Sequence, residues 1–365
     1  MPISPAIPLS PSISLVNHVT LPQHEYSFNV LICKLVLHTI PLRGGRKMKT
    51  FILLAAAVLV IATGINLTAT LINTKNIQME TPEEIPEEEI DPGPSRAEVV
   101  INALAAAYPS RIETVEFRDD DWALLMDDIW YFYAGGRMLP ADELGNYDAY
   151  SGSFIIYNYP EDLPVWVEPS TEQAERYQNR GNVQNSGRTQ IQRQRSNHFF
   201  EGLWQMTNHD ESYRRQKTIK LFGFSVPVHE DMIPVFTAVE ETVLSLAEND
   251  KEVLTWVNGI GEVHGWYWRN ISGSQSRSYH SYGIVVDILP KSTGGKEMYW
   301  QWAAQNGKDW RYVSYDDRFH PPDPVVKTFE SYGFVWGGKW AWYDTMHFEY
   351  RPEVFILNGL DILIL

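Results

Sequence analysis

The sequence predicts an α+β fold, with short strands and helices concentrated in its C-terminal half. Residues 284–288 form an apolar run broken only by Asp287, which favours a buried strand. Two aromatic, β-prone segments follow at 340–342 and 346–348. Residues 231–247 place apolar side chains at helical spacing, which predicts an amphipathic helix whose apolar face lies in the core.

The other elements are predicted from caps, turn residues and local composition. Ser95-Arg-Ala-Glu98 is a capping box that opens a helix over residues 96–108. Asp323-Pro324 begins a helix that Gly333 ends. Residues 122–133 fit either a helix or a strand. The remaining predictions are strands at 154–158, 221–228 (with a bend) and 253–257, and a helix at 296–305.

The N-terminal part of the chain carries an export-like segment. Residues 1–47 are rich in Pro and Ser at the start and lack periodicity, and we expect them to be untranslated or disordered. From Met48, a short basic start and an apolar core are typical of a signal sequence, assigned here to residues 48–72. A short apolar core would be cleaved, whereas a longer one of about 22 residues would be long enough to anchor the chain in a membrane.

Three further regions follow. Residues 73–94 combine prolines with many carboxylates, which predicts an extended, self-repelling linker. Residues 95–215 form an N-terminal region of mixed α/β character whose role the sequence does not define. Residues 216–365 form the domain that carries the candidate site.

Charge and cysteine content exclude several classes of function. The formal net charge of −16 is opposite to that of a general nucleic-acid-binding surface, so no nucleic-acid partner is expected. Cys33 is the single cysteine, so neither an internal disulfide nor a zinc site with several Cys ligands can form. A metal site in this chain must therefore use His and carboxylate ligands.

Two short segments supply such ligands. His280 and Asp287 lie in the first, which has the pattern Ser278-x-His280-x2-Gly283-x3-Asp287. The second is Trp342-x-Asp344-x2-His347-Phe-Glu349. Two histidines and two aspartates suffice for a catalytic zinc site, in which three protein ligands bind the ion and a carboxylate accepts a proton from water.

The combined pattern resembles the VanY-like family of D-alanyl-D-alanine carboxypeptidases and L-alanyl-D-glutamate endopeptidases, which are zinc peptidases. Residues 334–340 also look like the lead-in Gly-Phe-x-Trp-Gly-Gly-x-Trp of its endopeptidase-like members. The resemblance covers roughly the last third of the chain well. It implies a small antiparallel sheet flanked by helices, of the hedgehog/DD-peptidase type, carrying Zn²⁺. Val285 departs from the alanine that the family often has there.

The resemblance also implies a role for each matching residue. His280, Asp287 and His347 match the zinc ligands, Asp344 matches the general base, and Arg269 matches an arginine that holds a substrate carboxylate.

Three more residues near these segments are candidates for supporting roles. Glu349 shares a strand face with His347 by the two-residue repeat, so we expect it to orient this ligand. Ser278, at the start of the first pattern, is expected to support the ligands in the same way. Arg277 is an alternative to Arg269 as the substrate-binding cation.

The implied activity is hydrolysis of peptidoglycan stem peptides. An Asp general base before His-Phe-Glu favours the L-Ala–D-Glu endopeptidases, with D-Ala–D-Ala carboxypeptidase as the alternative. Two readings without turnover stay open: a zinc-bearing binding module of the cell envelope, and a structural envelope protein whose function resides in residues 95–215. The expected location is the periplasm or cell envelope, either free or anchored to the inner membrane through residues 51–72.

Overall fold

The computed structural model describes residues 94–154, 158–181, 194–271 and 275–365. The expected signal segment and acidic linker lie outside these ranges. Within them, no helix is both long enough and apolar enough to cross a membrane.

The N-terminal region contains a helix, a four-stranded antiparallel sheet and several short elements. The sheet has the order β1-β2-β3-β4. Its elements, and those that follow to the end of the region, are α1 (Arg96–Ala107), β1 (Thr114–Arg118), β2 (Asp121–Met126), β3 (Ile129–Phe132), β4 (Leu139–Pro140), a 3-10 helix (Ala141–Ala149), β5 (Tyr150–Ser151), α2 (Thr171–Gly181), β6 (Gln194–Arg195), α3 (His198–Leu203) and α4 (His209–Arg215).

The C-terminal domain contains a hairpin and a second antiparallel sheet of order β11-β12-β10-β9. Five helices and several 3-10 turns accompany this sheet in the described part of the domain. The elements are β7 (Gln216–Leu221), β8 (Phe224–His229), α5 (Ile233–Ala247), α6 (Lys251–Gly259), β9 (Ile260–His264), β10 (Val285–Pro290), α7 (Trp300–Gln305), α8 (Asp323–Ser331), β11 (Phe334–Trp336), β12 (His347–Tyr350) and α9 (Pro352–Leu357), with 3-10 turns at Glu230–Met232, Tyr279–Tyr282, Trp310–Tyr312, Tyr315–Asp317 and Gly337–Lys339. The fold is thus mixed helix and sheet, as predicted.

One hydrophobic cluster runs through both regions. It joins Leu104 of α1 and Phe200 of α3 to Phe236 of α5, Val286 of β10 and Phe348 of β12, all of them fully buried. Residues 90–365 accordingly form one compact unit. The N-terminal region therefore contributes to the same core as the sheet that carries the candidate site.

The N-terminal region also holds the loop that precedes β10. The backbone N–H of Arg277 donates to the side chain of Asn197 (3.0 Å). The hydroxyl of Ser212 donates to the carbonyl of Ser281 (2.8 Å). Because these donors and acceptors lie on opposite sides of the boundary at residue 215, residues 194–212 fix the position of residues 277–281.

Several predicted elements are confirmed, two are wrong, and the helix predicted at 296–305 begins only at Trp300. The predicted strand at 253–257 is part of helix α6, because the Asp250 side chain accepts from the backbone N–H groups of Glu252 (2.8 Å) and Val253 (3.2 Å) and so caps the helix. Val253 and Trp256 then bury one face of it.

Residues 340–342 are bends rather than a strand. The backbone N–H of Asp344 donates to the carbonyl of Gly337 (3.0 Å), which closes a loop over these residues. The predicted strand at 154–158 lies largely outside the described residues. Phe154 itself is buried in a bend.

Candidate metal centre

Strand pairing places Asp287 and His347 side by side. Asp287 of β10 lies directly opposite His347 of β12 in the antiparallel register. Directly opposed residues project from the same face of a sheet, with their Cβ atoms about 5 Å apart. The carboxylate Oδ1 of Asp287 is 2.9 Å from Nδ1 of His347.

A tight turn brings His280 back over the same face. His280 lies in the 3-10 turn Tyr279–Tyr282, which ends at Gly283 with φ of 66°. A Cβ on Gly283 would lie 2.4 Å from the backbone nitrogen of His229, so this close approach requires glycine. The turn sets Nε2 of His280 3.1 Å from Oδ2 of Asp287.

The second nitrogen of each imidazole has a partner that orients the ring. Nδ1 of His280 lies 2.7 Å from the carbonyl oxygen of Gly265 and donates to it. Because Nδ1 carries the proton, Nε2 of His280 presents a lone pair. This Nε2 atom is buried without a hydrogen-bond partner among the described residues. Nε2 of His347 lies 3.3 Å from Glu349.

The three side chains fit a zinc ion. The ligand atoms of His280, Asp287 and His347 all lie within 4.8 Å of one another. Zinc–ligand bonds of ~2.0–2.2 Å set tetrahedral ligand atoms roughly 3.3–3.5 Å apart. An orphaned imidazole nitrogen facing a carboxylate, with its ring fixed from behind by a carbonyl, is the arrangement that a metal ligand requires.

The electrostatics of the three groups agree with this assignment. Burial raises the pKa of Asp287, but its close contacts with His280 and His347 outweigh burial and hold the pKa well below its usual range. Burial lowers the pKa of His347, whereas its hydrogen bonds to Asp287 and Glu349 raise it, with a net upward shift. The site thus concentrates negative charge that favours a cation.

Asp344 lies beside this group of ligands. Its carbonyl accepts from the backbone N–H of His347 (3.2 Å). Its Oδ1 is buried without a hydrogen-bond partner among the described residues. Burial and the charge of Asp287 together raise the pKa of Asp344 to about 6, against the opposing charges of His347, His280 and Arg269. A desolvated carboxylate close to the ligands is suited to accept a proton.

Gly337 leaves the space that Asp344 occupies. A Cβ on Gly337 would lie 2.4 Å from the carbonyl oxygen of Asp344 and 3.2 Å from its Cβ. We therefore expect Gly337→Ala to displace Asp344 and to lower kcat roughly 10²-fold, since a shift of about 1 Å in a catalytic group can have this effect. Zinc content should stay near that of the wild type.

The measurement is kcat together with bound zinc. Gly145→Ala is the matched control, because a Cβ at Gly145 meets no atom within 4 Å. Equal activity in Gly337→Ala and Gly145→Ala would contradict the positional role of Gly337.

Arg269 and Arg277 differ in their surroundings. Arg269 is exposed, its backbone is bonded to the Ser281 side chain (2.9 Å), and its charge acts on Asp344. No carboxylate of the described residues forms an ion pair with it. Arg277 instead pairs with Glu201 (3.3 Å) and lies over the ring of Trp268 (3.7 Å). The available cation beside the ligands is therefore Arg269.

Glu349 and Ser278, the two predicted supporting residues, differ in their contacts with the ligands. Glu349 is buried and bonds both His347 and Arg351 (3.1 Å), so it holds the imidazole from behind. Ser278 is buried just before the turn that carries His280, but its hydroxyl bonds neither ligand. Its supporting role stays a prediction.

Three other histidines do not join the site. His264 lies on β9, the other neighbour of β10, where it pairs with Asp287. Its side chain is exposed and bonds Glu262 (2.9 Å). His229 is buried against the carbonyl of Trp204 (2.9 Å). His320 bonds the carbonyl of the next residue, Pro321 (3.0 Å).

Sequence reasoning missed Tyr299. Tyr299 forms an antiparallel bridge with Asp344, and backbone hydrogen bonds donated by Trp300 (3.0 Å) and Thr345 (2.9 Å) flank the pair. In such a pair the Cα atoms are only about 4.5 Å apart and the side chains adjoin. Because the sequence predicts a helix over 296–305, it gives no indication of this short extended segment.

Charged groups of the site act on the phenol of Tyr299. Burial and the charge of Asp344 together raise its pKa to about 12, against the opposing charge of Arg269. The hydroxyl is therefore protonated at neutral pH and can donate a hydrogen bond.

Residues 272–350 match the family model described as D-alanyl-D-alanine carboxypeptidase. The matched segment contains His280, Asp287, Asp344 and His347, and it supports a peptidase whose substrates are peptides derived from peptidoglycan. It does not distinguish an endopeptidase from a carboxypeptidase.

The N-terminal region has a separate similarity. Residues 100–155, which include most of α1 and all of the first sheet, match a family described as a domain of unknown function. No curated protein and no solved structure matches the chain. The hedgehog-type fold therefore stays a prediction.

Proposed function

We propose that this chain is a zinc-dependent peptidase that hydrolyses peptidoglycan stem peptides at the L-Ala–D-Glu bond. The observation that carries the proposal is the buried, unpartnered Nε2 of His280, which converges with Asp287 and His347. Zinc held there would polarise the scissile carbonyl and would lower the pKa of bound water, so that a nucleophilic hydroxide is available near neutral pH.

The protein's own groups would move the proton. Asp344 accepts the proton that water loses as its oxygen bonds to the carbonyl carbon, and then donates it to the nitrogen of the leaving amine as the C–N bond breaks. The position of Asp344 beside His347 and its desolvated carboxylate support this role. The same features argue against a binding module without turnover.

Arg269 and Tyr299 would position the substrate. Arg269 is exposed and has no carboxylate partner among the described residues, so it can bind a carboxylate of the stem peptide. A local cation of this kind is needed, because a chain of net charge −16 repels an anionic polymer at long range. Tyr299 can donate to the carbonyl oxygen on which negative charge develops.

We expect Tyr299→Phe to lower kcat by roughly 10- to 100-fold with little change in KM, because a donor to the developing oxyanion acts in the transition state. Steady-state kinetics on a stem peptide, with zinc content measured in parallel, checks this. Tyr147→Phe is the control, since this tyrosine lies against Arg137 in the N-terminal region. A rise in KM at unchanged kcat would assign Tyr299 to ground-state binding instead.

The description of the matching family favours a second candidate, a D-Ala–D-Ala carboxypeptidase. The two activities differ in the fragment released: a carboxypeptidase removes one terminal D-alanine, whereas the endopeptidase separates L-alanine from the rest of the stem. Mass spectrometry of digested muropeptides distinguishes them.

The deciding experiment is incubation of the purified chain with cell-wall sacculi, with and without a chelator. Release of stem-peptide fragments that stops on chelation and returns with zinc supports the proposal. Zinc binding with no hydrolysis of any cell-wall peptide would instead favour a structural or binding role.

The proposed substrate also implies export. Peptidoglycan lies outside the inner membrane, so we propose that residues 48–72 direct the chain to the periplasm or cell envelope. Cell fractionation with an antibody to the C-terminal domain would detect a cytoplasmic location, which would contradict this.

A further inference from the structure

An aromatic pocket lies next to the metal centre. We define it by Trp166, Tyr177, Trp310, Tyr315 and Trp340, which line a cavity of about 290 Å³. Ligand pockets span roughly 300–1,000 Å³, so this one has room for a single ring-sized group.

The aromatic pocket adjoins the metal ligands directly. The indole ring of Trp340 lines the pocket, and its centre is 5.5 Å from that of the His347 imidazole. A group bound in the pocket would therefore be separated from the ligands by one ring.

The cations that line the pocket are not equivalent. Lys339 pairs with Glu330 (2.6 Å) and Arg311 pairs with Asp309 (2.6 Å). Arg318 also lines the pocket, is only 4% exposed and forms no ion pair with any carboxylate of the described residues.

Arg318 keeps donor capacity for a ligand. Its Nε and Nη2 both donate to the carbonyl of Val313 (3.1 and 2.8 Å), and its guanidinium lies over the rings of Tyr343 (4.1 Å) and Tyr315 (4.9 Å). These bonds use Nε and Nη2, so Nη1 is left to donate to a ligand or to solvent. Burial without a counter-ion lowers the pKa of Arg318. Since buried charges are normally paired, an acceptor oxygen from a ligand is expected here.

Aromatic faces combined with a buried donor suit a sugar. A pyranose presents a face of C–H bonds that packs on aromatic rings, and the carbonyl oxygens of its acyl and amide substituents accept hydrogen bonds. We propose that the aromatic pocket binds the N-acylated sugar to whose carboxyl group the stem peptide is joined by an amide bond, so that the substrate is the glycan-linked peptide rather than the free peptide. This inference rests on the proposed function.

Chain length connects the pocket to the bond that is cleaved. An extended chain spans about 3.3–3.6 Å per residue. In peptidoglycan one residue separates the sugar's side arm from the L-Ala–D-Glu bond, whereas four separate it from the D-Ala–D-Ala bond, or roughly 14 Å. A sugar pocket one ring away from His347 therefore favours cleavage at the L-Ala–D-Glu bond.

The test compares two substrates that differ only in the sugar: a stem peptide linked to N-acetylmuramic acid, and the same peptide with an acetylated N-terminus. The zinc-loaded chain should cleave the sugar-linked peptide with the higher kcat/KM. Trp166→Ala should lower kcat/KM for the sugar-linked peptide about 10-fold and leave that for the acetylated peptide unchanged. Trp130→Ala, a tryptophan in the first sheet, should change neither.

A binding measurement that needs no turnover accompanies the kinetics. N-acetylmuramic acid should change the tryptophan fluorescence of the wild type saturably, and more weakly that of Trp166→Ala and Arg318→Met, with melting temperatures confirming that the variants are folded. Sugar binding without hydrolysis of either substrate would contradict the proposed peptidase activity but would still support a sugar site in the aromatic pocket. An equal fall in kcat/KM for both substrates in Trp166→Ala would contradict the proposed sugar site. An active wild type that does not bind the sugar would contradict it as well. If lactate binds as tightly as N-acetylmuramic acid, the pocket does not recognise the sugar, and the proposal is wrong.

Discussion

Replacing Asp344 with alanine is expected to lower kcat by about 10²–10⁴-fold while zinc stays bound, because general acid–base catalysis contributes an effect of this size. The carboxylate lies beside His347 but is not one of the three converging ligands. Its removal should therefore spare the metal.

Kinetics on a stem peptide and zinc analysis of the same preparation test this. Asp361→Ala is the control, since Asp361 is an exposed carboxylate near the C-terminus. Undiminished turnover by Asp344→Ala would refute its role as the base, and loss of zinc would reassign it as a ligand.

Replacing His347 with alanine should abolish both zinc binding and activity. Removal of an outer residue that merely orients a ligand costs ~10–100-fold in metal affinity, so loss of the ligand itself should exceed about 100-fold. His347 is bonded to both Asp287 and Glu349, and its loss leaves these two carboxylates without their shared partner.

Equilibrium zinc binding and thermal melting report this change. Zinc raises the melting temperature of a protein that binds it only when folded, so a chelator should lower that of the wild type and leave that of His347→Ala unchanged. The exposed His209 supplies the control His209→Ala. Retention of stoichiometric zinc by His347→Ala would remove the basis of the candidate site.

The ligand group was predictable because its geometry is local. Three local features are visible in the sequence: the strand around Asp287, the break at Gly283, and the two-residue repeat that joins His347 to Glu349. The structure places each of these features as predicted. The resemblance added what spacing lacked, namely that segments 55 or more residues apart meet at one candidate metal site.

Other parts depended on long-range contacts. The apolar run at 253–257 has the composition of a strand, but the cap at Asp250 and burial against the core make it a helix. Tyr299 reaches the site only because its segment pairs with the loop that carries Asp344. No local pattern indicates such a pairing.

The bonds from Asn197 and Ser212 to the loop at 277–281 have a consequence for substitutions. The match to the peptidase family model begins at residue 272, yet these two supports of the loop lie up to 75 residues earlier. The candidate ligands and the residues that hold their loop thus lie in separate stretches, so a substitution at Asn197 or Ser212 can displace the loop while every candidate ligand is kept.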